Sequence, residues 1–240
     1  MNRELWERLS FTANNPLHYQ CPVCKRGFLN PIYGKFIQKQ EVIQQNDPPI
    51  ENLGIVILRC SSCQYSVTMI AKRVDFVAED IDEKTGLIDF KEVKTFIPKF
   101  IYPPLPIIRC DYLLPKKIKK QLEISFGLFF YDKESCAASI RKTIELILSD
   151  KGKKKNSLQE KINIIENQWL KNVFTGIKEM GNAGTHGNYD GEKIEAKDLL
   201  DGYELLEAIL EEFYYKKQEV LGNKAENLKR KFPNPNKKES

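Results

Sequence analysis

The 240-residue sequence has no long uninterrupted hydrophobic run, and it contains only two histidines. No stretch approaches the roughly 18 apolar residues of a membrane-spanning helix, so we expect no transmembrane segment and no membrane partner. Residues 1–10 lack the apolar central region of a secretory signal peptide, which predicts a cytoplasmic protein with reduced thiols. The six cysteines are therefore interpreted as metal ligands or free thiols before disulfides.

The composition is that of an ordinary folded protein. With 13 Phe and 10 Tyr, and 41% hydrophobic residues overall, disorder of the whole chain is excluded. The absence of an internal repeat excludes a solenoid. The formal net charge of +5 favours phosphate-bearing partners without saying anything about the fold.

Pattern changes divide the chain into three regions. Residues 1–99 are predicted to hold a short N-terminal helix and a small antiparallel β module, because β-rich runs such as 54–58 and 65–70 alternate with turn residues. A connection is expected to begin in this region, near residue 78, and to run into the next one, to about residue 110. It includes a turn at Lys84-Thr85-Gly86 and an extended, proline-rich segment at 102–106.

The next region, residues 100–222, is predicted to be all helical. Ile118, Leu122 and Phe126 recur at helical spacing, and so do apolar residues that begin at Trp169. The last long helix is predicted from about residue 195 to 221. Ser157 and Glu160 match a capping box at the start of one helix. Residues 223–240 are expected to form a basic, flexible tail.

Four cysteines form two C-x-x-C pairs, Cys21/Cys24 and Cys60/Cys63, with 35 residues between them. Two thiolates at this spacing can bind one ion from a tight turn, and four complete the closed tetrahedron of a structural zinc site. We therefore expect one structural Zn²⁺ in a zinc ribbon. A redox pair is the competing interpretation, but no βαβ pattern surrounds either motif.

Basic residues occur near these motifs and in the tail. If the ribbon or the tail binds nucleic acid, they are the candidate phosphate contacts. The candidates are Lys25, Arg26, Lys72, Arg73, Lys229, Arg230 and Lys231.

Two patches in the helical region carry candidate chemistry. Arg141 and Glu145 are four residues apart, so they share a helix face and can pair. The second patch runs from Lys178 through Gly181 and Asn182 to a lone histidine, His186.

Together with Tyr102-Pro103-Pro104 and Leu114-Pro115, these patches resemble a bacterial family of proteins, domain of unknown function 4145, over roughly residues 100–215. The resemblance implies a HEPN-like helical bundle that often follows a zinc-binding segment. The overall expectation is thus an α+β protein, a small antiparallel β zinc ribbon followed by an all-α HEPN-like bundle. Many HEPN domains are ribonucleases of toxin–antitoxin, CRISPR and antiphage systems.

In catalytic HEPN domains an arginine precedes the histidine by a few residues, and here Gly181 stands at that position while Asn182 and His186 match. Lys178 and Arg141 are the nearest candidates to supply the missing cation. The resemblance implies that a homodimer brings two copies of His186 together. A structural role is the alternative for each residue: a helix-cap histidine, a C-cap asparagine and an Arg141–Glu145 ion pair.

Two functions follow as hypotheses. The first is an RNA-directed protein of bacterial antiviral defence or stress, with metal-independent RNA cleavage at Arg141, Lys178, Asn182 and His186. The second is a non-catalytic module that dimerises or docks a larger effector protein. A zinc-dependent DNA-binding regulator ranks last, because no helix-turn-helix is evident.

Overall fold

The fold is known from a computed structural model that describes residues 1–12, 15–32, 53–81, 88–110, 112–186, 193–215 and 217–232. Side chains are described throughout these ranges except at 75–81, 88–92, 186 and 217–220. The turn predicted at Lys84-Thr85-Gly86 lies outside the described residues.

An antiparallel, curled six-stranded sheet forms the N-terminal part of the protein, with strand order β1-β6-β5-β4-β3-β2. Every neighbouring pair is antiparallel. The predicted β module is therefore confirmed as an antiparallel sheet. Its strands are β1 Phe11–Thr12, β2 Tyr19–Gln20, β3 Phe28–Ile32, β4 Leu53–Cys60, β5 Ser66–Ile81 and β6 Ile88–Tyr102.

The two longest strands extend beyond the predicted module. Strands β5 and β6 pair from Thr68↔Tyr102 as far as Ile81↔Ile88, so the residues expected to be a connection are largely strand. The prediction of a connection was wrong because charged residues interrupt the apolar alternation there. Cross-strand pairing continues through them, since the backbone hydrogen bonds of a ladder do not depend on side-chain polarity.

The two faces of the sheet differ from each other. Along β4 alternate residues are buried, and they include Val56, Leu58 and Cys60. The outer face carries large apolar side chains that stay partly exposed. They are Phe28, Ile32, Leu53, Ile55, Ile57, Ile70 and Phe100.

Helices make up the rest of the described chain. Ser157 and Glu160 form the predicted capping box, since the Ser157 side chain accepts from the Glu160 backbone and the Glu160 carboxylate accepts from the Ser157 N–H. The long C-terminal helix is interrupted by a π-helical turn at Glu211–Tyr215. The helices are α1 Arg3–Glu7, α2 Lys116–Leu128, α3 Lys133–Asp150, α4 Leu158–Asn163, α5 Gln168–His186, α6 Ala196–Leu210 and α7 Lys217–Lys231.

Helices α3, α5 and α6 enclose the densest part of the core. Ile140, Ile144, Phe174, Leu200 and Tyr203 are completely buried there. The core is continuous with that of the sheet. Within the described residues, no helix has both the length and the apolar character that a membrane span requires.

Trp6 of α1 lies between the sheet and the helices. Its ring packs 4.9 Å from the ring of Tyr19 on β2 and 5.7 Å from that of Phe129, just after α2. The other tryptophan, Trp169, was predicted to lie on an apolar helix face, but 54% of it is exposed. That prediction was wrong because Trp169 lies on the side of α5 that no described element covers.

Helix α7 begins before residue 223 and ends at Lys231, so the predicted boundary of the basic tail falls inside a helix. All residues from 221 to 232 are exposed. Residues 233–240 lie outside the described residues. The helix differs from the prediction because the basic residues are interspersed with Leu221, Ala225 and Leu228 at helical spacing.

Candidate metal centre and candidate helical site

Two hairpin turns bring the four cysteines together. Cys21 directly follows β2, and Cys60 is the last residue of β4. Strands β3 and β4 are antiparallel neighbours with Leu29 opposite Cys60, so the β2–β3 and β4–β5 turns lie at the same end of the sheet. The Ser61 N–H donates to the Phe28 carbonyl and fixes the turns against each other.

The four sulfur atoms lie within 4.8 Å of one another. The Cys21 and Cys63 Sγ atoms are 3.6 Å apart, as are those of Cys24 and Cys60. A tetrahedral ion with Zn–S bonds of about 2.3 Å places its sulfur ligands roughly 3.8 Å apart. The arrangement therefore fits a metal ion held by four thiolates.

The surrounding backbone favours the charged form of two of the thiols, those of Cys24 and Cys60, whereas burial and the neighbouring sulfur atoms raise the pKa of Cys63 to about 11. The Gly27 N–H donates to Cys24 Sγ, and the N–H groups of Ser62 and Cys63 donate to Cys60 Sγ. Mainly through the Gly27 N–H, these bonds lower the pKa of Cys24 to about 6. The Cys63 N–H likewise lowers the pKa of Cys60. Deprotonated thiols are the form that binds a metal.

Gly27 is required for this packing. A Cβ atom at this position would lie 2.7 Å from Cys60 Sγ and 2.8 Å from the Ser62 backbone nitrogen. A side chain would therefore push the second turn away from the first. Four protein ligands leave no open coordination position, so a metal here has a structural role.

Three of the four predicted catalytic residues come together on the surface formed by α3 and α5. Lys178, Asn182 and His186 follow each other at intervals of four on α5 and so lie along one side of that helix. Arg141 of α3 packs against Gly181, the residue that precedes Asn182 on α5. We call Arg141, Lys178 and Asn182 the α3–α5 face. The side chain of His186, the last residue of α5, lies outside the described part of the structure.

Glu179, which the sequence motifs did not indicate, contacts two residues of this face. The Lys178 ammonium pairs with its carboxylate, and Asn182 Nδ2 donates to Glu179 Oε2 at 3.2 Å. The bond from Lys178, with weaker help from Asn182 and the charge of Arg141, lowers the pKa of Glu179. Glu179 and Asn182 are three residues apart, about one helical turn, and this spacing could have indicated their contact.

Arg141 does not form the predicted pair with Glu145. Among the described residues, the recorded ion pair of Glu145 is with Lys142, at 3.2 Å. The Nε atom of Arg141 is buried and has no hydrogen-bond partner there. The face therefore contains an N–H donor that is not satisfied by the protein.

The structure explains why glycine stands at position 181. A Cβ atom there would overlap the Cβ of Arg141, and one at Gly184 would overlap the Glu134 carbonyl oxygen. Helices α3 and α5 approach closely because both positions lack a side chain. An arginine at 181, as in catalytic HEPN domains, cannot fit without moving α3.

The predicted phosphate contacts are spread over the molecule. Lys25 and Arg26 are exposed in the first cysteine turn, whereas Lys72 and Arg73 lie further along β5. Six residues of strand separate Lys72 from Ser66, next to the cysteines, which is about 20 Å. Lys229, Arg230 and Lys231 occupy the last turn of α7. Consecutive helical residues diverge by about 100°, so these three do not form a single patch.

Comparisons with known proteins bear on the helical region. Neither the curated proteins nor the solved structures gave a match. The match to a family model covers Arg141 and the stretch from Lys178 to His186, whereas Tyr102-Pro103-Pro104 and Leu114-Pro115 fall outside it. Residues 124–231 of this chain match the family model described as Domain of unknown function (DUF4145).

Proposed function

We propose that this protein acts on RNA through the α3–α5 face and that its four-cysteine cluster holds one structural Zn²⁺. The observation that carries the RNA proposal is that a guanidinium, an ammonium and an amide, those of Arg141, Lys178 and Asn182, belong to one surface of α3 and α5. These are the donors that phosphate oxygens accept from.

The zinc proposal rests on the donor set. Four thiolates select zinc or an iron–sulfur centre over hard cations, and a single tetrahedral site is typical of zinc. The ion would fasten the two hairpin turns in a ribbon-like end of the sheet. It would supply no catalytic chemistry, since the protein occupies all four positions.

Cleavage of RNA by this face depends on His186. Cleavage without a metal needs a base for the 2′-hydroxyl proton, an acid for the leaving oxygen and a cation for the developing charge. In this proposal Arg141 and Lys178 provide the cations, and His186 from each of two protomers provides a proton-transfer group. The HEPN-like assignment and a role in bacterial defence are part of the same proposal.

The test compares the zinc-loaded protein with Lys178→Gln, His186→Ala and the control Lys142→Gln. Lys142 is 53% exposed, lies next to Arg141 in sequence and pairs with Glu145 instead of joining the α3–α5 face. We expect Lys178→Gln to weaken binding of a labelled single-stranded RNA several-fold and to lower the salt slope by about 0.7. His186→Ala should abolish cleavage while leaving binding intact, and Lys142→Gln should change neither property. Failure of the wild-type protein to bind RNA would overturn the proposal.

A second function, protein interaction, is favoured by the outer face of the sheet. Ile55 and Ile70 are directly paired across β4 and β5, and Ile70 pairs with Phe100 on β6. All three are at least 36% exposed. A contiguous exposed apolar patch of this kind marks an interaction surface.

This surface fits a homodimer. We expect the wild-type protein to sediment as a dimer and Ile55→Lys to sediment as a monomer. Ile164→Lys, at a similarly exposed position just after α4, is the control and should leave the dimer intact. A wild-type protein that stays monomeric at high concentration would exclude self-association through the sheet.

A further inference from the structure

The segment between α3 and α4 forms a basic concavity that the sequence motifs did not indicate. A surface depression of about 390 Å³ lies over this connection. Both α4 and the loop before it contribute to the lining. The lining residues are Lys154, Lys155, Asn156, Glu160, Asn163 and Ile164.

Positive charge is concentrated in this part of the chain. Residues 151–178 contain seven lysines and two glutamates, a net charge of +5 that equals the net charge of the whole protein. One of the two carboxylates, that of Glu160, is bound by the backbone N–H groups of Asn156 and Ser157 in the capping box. Its negative charge remains in the lining, where it offsets one of the two lysine charges.

The lysines of this segment fall into two groups. Several are engaged: Lys161 donates to the Ser149 hydroxyl at 3.0 Å, and the Lys151 ammonium lies 3.9 Å from the centre of the Tyr214 ring. By contrast, Lys154 and Lys155 are exposed, and neither ammonium has a bonding partner within the described ranges. Their charges are directed to solvent at the edge of the concavity.

Hydrogen bonds connect this concavity to the α3–α5 face. Asn163, in its lining, accepts a bond from Gln159 Nε2 at 2.9 Å, and Gln159 in turn accepts a bond from the Lys178 ammonium. The Lys171 ammonium donates to the Asn163 carbonyl at 3.3 Å. A ligand that leaves the α3–α5 face along α4 therefore meets the concavity next.

We infer that the α3–α4 concavity binds the backbone of a single-stranded RNA that continues onto the α3–α5 face. The inference rests on the proposed function and adds the surface that supplies most of the affinity. Lys154 and Lys155 neutralise phosphates, and the amides of Asn156 and Asn163 with the partly exposed Ile164 offer polar and apolar contacts to a base. A strand fits better than a duplex, because a depression of about 390 Å³ is too small to take a double helix.

The basic end of α7 is the competing surface, and it supplies the control. Residues 223–240 carry six basic and two acidic residues, so electrostatics alone would direct RNA there. The test compares Lys154→Gln/Lys155→Gln, which removes two charges, with Lys229→Gln/Arg230→Gln/Lys231→Gln, which removes three. The probe is a 5′-fluorescein-labelled 12-nucleotide oligouridine, measured by anisotropy across a salt series.

We expect the double variant to bind at least tenfold more weakly at 100 mM salt, with a salt slope reduced by about 1.4, and the triple variant to lose less than threefold. Equal losses, or a larger loss in the triple variant, would overturn the inference while leaving the proposed function standing. No binding by the wild-type protein would overturn both. Circular dichroism of each variant establishes that the compared proteins are equally folded.

Discussion

The sheet region and the helical region are stabilised in different ways. In the sheet only one face is buried, and four sulfur atoms join two turns at one end. In the helical region, side chains from α3, α5 and α6 are completely buried around a common centre. A one-sided sheet buries less apolar surface per residue than a helical bundle, so a crosslink contributes more of its stability.

This difference separates the two candidate chemistries. In our proposal, a zinc ion in the cysteine cluster holds the sheet together and leaves no open position for a substrate. The α3–α5 face lies in the helical region, which has no candidate metal site among the described residues, and its polar groups are the ones proposed to bind a ligand. Function and stability are in this proposal assigned to different regions, although Trp6 packs against both.

Removal of the metal should give the largest effect, and it tests most directly whether the sheet and the helical region are stabilised separately. Zinc binding by four thiolates contributes about 10–16 kcal/mol, which the sheet loses in Cys60→Ala or with a strong chelator. We expect the sheet to unfold and the helical circular dichroism to remain. Trp169→Phe leaves Trp6 as the sole fluorescent tryptophan, so its emission should shift to the red as the contact with Tyr19 is lost.

A control for this experiment is Cys136→Ala, which removes a buried thiol of the helical region away from the cluster. It should leave the metal content unchanged. If chelation removed the helical circular dichroism together with the blue-shifted Trp6 emission, the two regions would unfold as one unit. That result would contradict their separate stabilisation.

Packing at Gly181 tests whether the helical region relies on close helix contact. Gly181→Ala places a methyl group against Arg141 and should cost about 1–3 kcal/mol of unfolding free energy. Gly176→Ala, on the same helix, meets only Leu205 Cδ1 at an ordinary 3.7 Å. It should stabilise the helix by about 0.5–1 kcal/mol.

Urea unfolding followed by circular dichroism measures both glycine variants. If Gly181→Ala were as stable as Gly176→Ala, the close approach of α3 and α5 would not be a constraint. The presence of glycine at 181 would then need another explanation.

The smallest expected effect concerns the N-cap of α3. Asp132 accepts bonds from the Ser135 hydroxyl and N–H at 2.6 and 2.9 Å, and the hydroxyl bond is the main cause of its lowered pKa. Its contribution is fully present above the unfolded-state pKa of about 3.9 and is lost as the pH falls through the folded-state pKa.

Asp132→Asn keeps the cap but removes the charge. At pH 7 it should cost a few tenths of a kcal/mol, at most about 1. Thermal unfolding at pH 7 and pH 3 should show the difference from wild type shrinking at the lower pH. A difference that grows on acidification would contradict the assigned direction of the pKa shift.

Local signals in the sequence predicted local structure well. The capping box at Ser157 and Glu160 is confirmed, because a cap depends on residues three positions apart. The two C-x-x-C pairs predicted a four-thiol cluster, since two thiolates at this spacing can bind one ion from a tight turn. The extent of β5 and β6 was not predictable from alternation, because charged residues interrupt it while backbone pairing continues.

The order of sheet and helices, the four candidate ligands and the resemblance of the helical region to DUF4145 can all be recognised in the amino-acid sequence. Which residues meet across elements depends on the tertiary fold. The fold replaced the Arg141–Glu145 pair by contact of Arg141 with Gly181, placed Trp169 at the surface and connected Asn163 to Lys178 through Gln159. The physical reason is that helix and turn signals act over a few residues, whereas burial and contact depend on which distant segments pack together.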